Sequence, residues 1–145
     1  EIKFTNFLVY TISFENFIEG DCNRLARSAG YAVSNKPGGT SFNPLHIYGN
    51  TGLGKTHLVH AIGIEIKNTH PNKTVLYVPA DRFMNQFVDA VKNNSTNDFI
   101  HFYQMMDVLI IDDVVTTGAT FLAATAALVA VGAISVVCVA PSRTV

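Results

Sequence analysis

The sequence predicts a three-layer α/β/α domain built on a parallel sheet of four main strands. Three observations carry that prediction. Short runs of branched aliphatics alternate with helical periodicities along the chain. The runs are apolar throughout, as strands covered on both faces must be. The first run passes straight into a glycine-rich loop and then a helix, the strand–loop–helix order of an α/β unit.

The elements follow in order. The aromatic-rich first twenty residues form an extended lead-in along the domain edge. Asp21 or Gly20 opens a helix whose stripe is Cys22, Leu25, Ala26, Ala29 and Val33. Asn35 to Gly39 ends it, and Leu45-His46-Ile47-Tyr48 is the first strand. A helix after Lys55 carries Leu58, Val59, Ile62 and Ile66, and Asn68 to Lys73 is a turn. Thr74 to Val78 is the second strand, cut by Pro79. Asp81 caps the next helix, with Phe83, Phe87, Val88 and Val91 on one face. Thr96 or Asn97 caps another, with Phe99, Phe102, Tyr103 and Met106 as helix core. Val108 to Ile111 is the third strand and ends at Asp112 and Asp113. An alanine-rich helix over about Thr120 to Val131 leads to a fourth strand, Ile134 to Val139.

Bulk composition sets limits. A chain of 145 residues, 48% apolar, suits one domain spanning 1–145 with a real core. A net charge of −1 gives no general electrostatic attraction to nucleic acid or an anionic membrane. Cys22 and Cys138 sit in apolar contexts far apart, the pattern of two buried free thiols in a reducing cytoplasm. Glu1 to Gly20 mixes charge with aromatics and does not read as a leader. No residue from Val114 to Ser142 is charged. A membrane span over Phe121 to Val139 competes with a helix followed by a buried strand. Thr125, Gly132, Ser135 and the β-branched end favour the second reading.

Gly49-Asn50-Thr51-Gly52-Leu53-Gly54-Lys55-Thr56 satisfies the spacing G-x-x-x-x-G-K-[ST]. Glycines let successive backbone N–H groups turn inward on a phosphate, and the next helix presents its positive end to the same anion. Lys55 supplies a mobile charge to the phosphate oxygens, and Thr56 a hydroxyl to Mg²⁺. Ligands sit beyond the carboxyl ends of parallel strands, so Asp112 and Asp113 face the same crevice. Asp112 is placed to hold Mg²⁺ through water, and Asp113 to orient or deprotonate an attacking water. A helix cap or solvated turn is the plainer role for either acid.

From about Phe14 to Asp113 the chain resembles the AAA+ ATPase domain of the bacterial chromosomal replication initiators, the DnaA family. The resembling segments are Phe14 to Gly20, Asn43 to Gly49, Gly52 to Leu58 (including His57), Val75 to Val78 and Asp107 to Asp113. The resemblance implies a P-loop NTPase-like fold binding ATP or ADP with Mg²⁺. It puts the adenine near Phe17, Ile18 and the residues up to Gly20, the metal between Thr56 and Asp112, and His57 in the nucleotide-binding segment.

Ile110 to Thr120 is similar instead to the phosphoribosyl pyrophosphate loop of type I phosphoribosyltransferases, nearest a ComF-like branch. That likeness implies acids on ribose hydroxyls and a 5′-phosphate held by Thr116, Thr117, Gly118 and Thr120, in a C-terminal β-α-β unit over 114–145. An empty polar turn is an equal reading. Two families meeting at a strand that ends in Asp-Asp read as a chimera, engineered in preference to natural. In that arrangement the fourth strand inserts between the phosphate-loop strand and the Asp112 strand.

The expected function is ATP–Mg²⁺ binding with weak or no hydrolysis, because the initiators' arginine finger, polar sensor and lid are not recognisable. Without a recognisable DNA-binding domain, no sequence-specific DNA binding and no membrane partner are expected. The alternatives are an engineered scaffold with no ligand and a phosphoribosyl-phosphate binder. His57 and His60, three apart on one helix, are assigned to packing or surface and not to a metal.

Overall fold

In the computed structural model, residues 11–49, 54–112, 128 and 135–140 are described. Four parallel strands form one sheet: β1 (Leu45–Tyr48), β2 (Val75–Pro79), β3 (Val108–Asp112) and β4 (Ser135–Ala140). Their order is β1-β4-β3-β2, so β4 lies between the phosphate-loop strand and the Asp112 strand, as expected. The helices are α1 (Arg24–Asn35), α2 (Lys55–Thr69), α3 (Ala80–Lys92) and α4 (Thr96–Gln104).

Strand alternation sorts the core into two layers. Val108, Ile110 and Val137 face α1 and α2, packing with Val33, Leu58, Val59 and Ile62. Leu109, Ile111, Val136 and Cys138 face the other way, onto Phe83, Tyr103 and Leu128. Phe83, Phe87, Phe99, Phe102 and Tyr103 interlock at centroid distances of 4.8 to 5.6 Å, joining α3 to α4. The expected three-layer arrangement is therefore present, and these aromatics are helix core. Helix α2 lies between α1 and the sheet, which explains why it is buried on several sides.

Several boundaries differ from expectation. Helix α1 opens at Arg24, behind Asn23, and not at Gly20 or Asp21. The Asn23 side chain turns back instead, accepting from Gly20 N–H at 2.8 Å and donating to Ile18 C=O at 3.0 Å. The residues before Arg24 are thereby held as a turn, Cys22 is exposed and Leu25 is 80% exposed. Only Cys138 is a buried thiol. Strand β2 runs through Pro79, on the sheet edge where a missing N–H costs no ladder bond, and α3 follows at once. Asp81 sits in the first turn of α3, where its charge suits the helix dipole, and makes no capping hydrogen bond. Ser95, not Thr96 or Asn97, precedes α4.

Leu128 is helical and buried, and residues 135–140 are strand, so the described part of the uncharged stretch is helix and sheet. No helix among the described residues is long and apolar enough to cross a membrane.

Candidate phosphate and metal site

Strand β1 delivers Gly49 to the carboxyl edge of the sheet, and α2 starts from that edge at Lys55. Asn50, Thr51, Gly52 and Leu53 lie outside the described residues. Gly54, the residue before α2, has φ 86°, a left-handed conformation that side chains resist. A Cβ there would also stand 3.3 Å from Cε2 of Phe17. The left-handed backbone thus calls for glycine at the end of the motif, and the Phe17 ring leaves little room for a Cβ. The Lys55 ammonium donates to Gly49 C=O, tying together the two ends of the loop. Thr56 is exposed in the first turn of α2.

Asp112 ends β3 and is 6% exposed. Cys138 of β4 pairs with His46 on one side and Ile111 on the other. One residue further along, Asp112 is therefore level with Ile47, just short of Gly49. It also belongs to the alternating set that faces α2, with Val108 and Ile110. The carboxylate thus shares both edge and face with the start of the Lys55 helix.

Behind it, the Tyr77 hydroxyl donates to Asp112 Oδ2. The Tyr77 ring stacks on His60 of α2, with centroids 4.7 Å apart and planes 27° apart. His60 is buried, and that desolvation lowers its pKa; Asp112 pulls the other way, and His57 adds to the lowering. The sequence assigns Tyr77 no site role beyond its place in a strand of the resembling segment Val75 to Val78, and assigns His60 a packing or surface role. The β2–β3 register, which sets residue 77 diagonally behind residue 112, is what joins them.

His57 reaches the segment that precedes α1. Its Nε2 lies 3.1 Å from Ser13 C=O and 3.0 Å from Asn16 Oδ1. The Asn16 amide is oriented by donation from Nδ2 to Thr11 C=O at 2.8 Å, so both neighbours of Nε2 are acceptors. That nitrogen therefore carries the proton. Phe17 is buried against the His57 ring at 5.3 Å, while Ile18 beside it is 88% exposed. Asp113, Thr116, Thr117, Gly118 and Thr120 lie outside the described residues.

The structure brings Gly49, Gly54, Lys55, Thr56 and Asp112 to one edge, with Phe17 against Gly54 and His57, and Ile18 next to it in the chain. A hydroxyl and a carboxylate are hard oxygen donors, and so few of them suit Mg²⁺, which keeps several of its waters. No cluster of three or more His, Cys, Asp or Glu that could hold a metal by itself occurs among the described residues.

Comparison with known proteins places this geometry. The family model for the bacterial DnaA ATPase domain matches residues 8–124. The chain is 65% identical to the chromosomal replication initiator protein DnaA of Flavobacterium psychrophilum over 113 residues, covering 78% of this chain and 24% of the relative. The chain spans about a quarter of the length of the curated relatives it matches. AMPPCP-bound DnaA from Aquifex aeolicus superposes with a TM-score of 0.74 at 32% identity, covering 96% of this chain and 44% of that one. A replication initiator DnaA bound to AMPPCP and single-stranded DNA gives 0.74 at 33% identity, covering 95% and 44%. The family match runs past Asp113 to residue 124, through the stretch that resembles a phosphoribosyltransferase loop, and none of these matches supports that likeness or a chimera. The chain belongs to the bacterial DnaA ATPase domain family.

Proposed function

We propose that this chain binds ATP or ADP with Mg²⁺ at the loop from Gly49 to Thr56, as the nucleotide-binding unit of a replication initiator. The observation that carries the reading is the joint placement of Lys55 and Asp112 on one edge and one face of a parallel sheet. The AMPPCP in two structural relatives supports it. Thr56 and Asp112 would hold the metal, which when bound neutralises charge on the phosphate oxygens. Backbone N–H groups of the loop and the start of α2 would hold the phosphates, and Lys55 would pair with them. The segment carrying Phe17 and Ile18, tied to α2 through His57, would border the base. Turnover is expected to be weak, since residues 114 to 142 provide no cationic side chain for charge developing on the phosphoryl group. Asp113 is the residue proposed to orient a water.

A relative binds single-stranded DNA alongside its nucleotide. For this chain, sequence-specific duplex binding is not expected, and a gel shift on an initiator-box duplex at physiological salt checks that point. The second reading, a grafted phosphoribosyl-phosphate loop at Thr116 to Thr120, rests on its sequence likeness.

Titration calorimetry separates these readings. Lys55→Ala is expected to weaken ATP·Mg²⁺ binding at least tenfold, about 1.4 kcal/mol. Binding of phosphoribosyl pyrophosphate that survives Lys55→Ala but not Thr117→Ala would move the assignment to the second reading. No heat with either ligand, in a folded protein, would leave a scaffold.

A further inference from the structure

Asp112 presents a problem that the nucleotide reading leaves open. It is 6% exposed, and a carboxylate so deeply placed needs donors to offset its lost hydration. Pro79 lies directly opposite it across the β2–β3 ladder and brings no side-chain donor. The donor comes diagonally instead. Tyr77 pairs with Ile110, two residues earlier on the same face, and is long enough to reach forward to Oδ2. The ring cannot swing freely, because His60, buried at 5% exposure, stacks on it from α2.

We infer that Tyr77, backed by His60, is a positioning residue that holds Asp112 in the orientation needed to receive a nucleotide-bound divalent cation. The inference rests on the proposed ATP–Mg²⁺ reading and deepens it. One carboxylate oxygen takes the phenolic hydrogen bond, which fixes the side-chain torsion and leaves the other oxygen to a metal-bound water. The stacked imidazole is itself anchored in the helix that begins with Lys55. The metal-facing acid and the phosphate-facing cation are thereby referred to one rigid element, and not to β3 and α2 independently. Partners of this kind, one bond removed from a metal, change affinity for the ion about 10- to 100-fold when lost.

Tyr77→Phe isolates the effect, since it keeps the ring, the stack and the packing while deleting one O–H. The measurement is the ratio of ATP dissociation constants in EDTA and in excess Mg²⁺, obtained by calorimetry on the whole chain. In Tyr77→Phe this ratio is expected to fall about tenfold, with affinity in EDTA unchanged. Tyr103→Phe is the control: it removes another phenolic hydrogen bond, to Gln86 Oε1, on the opposite face of the sheet. It should lower stability comparably and leave the ratio at the wild-type value.

A Tyr77→Phe protein with the wild-type ratio overturns the inference. So does a parallel loss of affinity with and without Mg²⁺, which would mark a purely structural hydroxyl. A wild-type chain that binds no ATP removes the nucleotide reading and this inference together, whereas one that binds ATP equally in EDTA keeps the nucleotide and removes the metal and this inference. Both outcomes are seen before any variant is made, so the failures are distinct.

Discussion

Ser135 starts the central strand at 1% exposure, and its Oγ finds no hydrogen-bond partner among the described residues. An unpaired buried hydroxyl costs about 1–3 kcal/mol relative to one that is bonded or absent. Ser135→Ala should therefore stabilise the protein by about 1 kcal/mol, raising Tm by about 3 °C in a calorimetric scan. A fall in Tm would show that the hydroxyl is bonded after all. The two cysteines differ in the same way, by environment and not by chemistry. Cys22 is exposed, while Cys138 is 2% exposed and its thiol pKa is pushed far up by desolvation, so it stays protonated and unreactive. A chromogenic disulfide reagent should titrate one thiol per native chain at pH 8 and two in denaturant. Two fast thiols in the native protein would contradict the burial of Cys138.

Among the elements, the lead-in before α1 is tied to α1 through Phe14, which meets Arg27 and Tyr31, and to α2 through His57. His57 Nε2 donates toward Ser13 C=O and Asn16 Oδ1, and its ring supports Phe17. His57→Ala should free residues 11–17 locally while costing only about 1–2 kcal/mol globally. Hydrogen exchange followed by mass spectrometry would show faster exchange at the Phe17 amide, which donates to Phe14 C=O, and unchanged rates in β3. Uniform acceleration across the sheet would instead mean that His57 belongs to the global core. This bond was not legible in the sequence, because Ser13 and His57 are 44 residues apart. The same holds for Tyr77 and Asp112, whose pairing follows from strand register and not from spacing. What could be read were features encoded locally. The phosphate-loop spacing, the apolar run before it and the helical stripe after it are all local, and the structure adds the left-handed Gly54 between them. The start of α1 was misplaced for an equally local reason. Apolar Cys22 and Leu25 fit a helical stripe, but Asn23 prefers to bond the Ile18–Gly20 turn, and that choice sets where the helix begins.

At the scale of the molecule, the sheet order makes the last strand in sequence the one on which the others depend. Among the described residues, β1 joins the sheet only through β4, and β4 is also the link to β3. Val137 stands at that junction, paired with Leu45 on one side and Ile110 on the other, with no exposed surface. A carboxylate there would sit among aliphatic side chains without a donor, a cost of several kcal/mol. Domains of this size hold only about 5–15 kcal/mol of net stability. If residues 1–145 form one cooperative unit, Val137→Asp should abolish the thermal transition followed by circular dichroism. It should abolish ATP binding as well, because Gly49 is positioned by β1 and Asp112 by β3. Val88→Asp is the matched control: the same chemical change at a valine 41% exposed on α3 should shift stability by no more than about 0.5 kcal/mol. A Val137→Asp protein that still melts cooperatively would mean that β4 is not the strand joining the phosphate loop to the acidic strand end. A protein that melts in two separate steps would mean that the β1 and β2–β3 halves are stable apart. Either result would remove the geometric basis for a single nucleotide site, since β4 sets the strand that leads into the phosphate loop beside the strand that ends in Asp112.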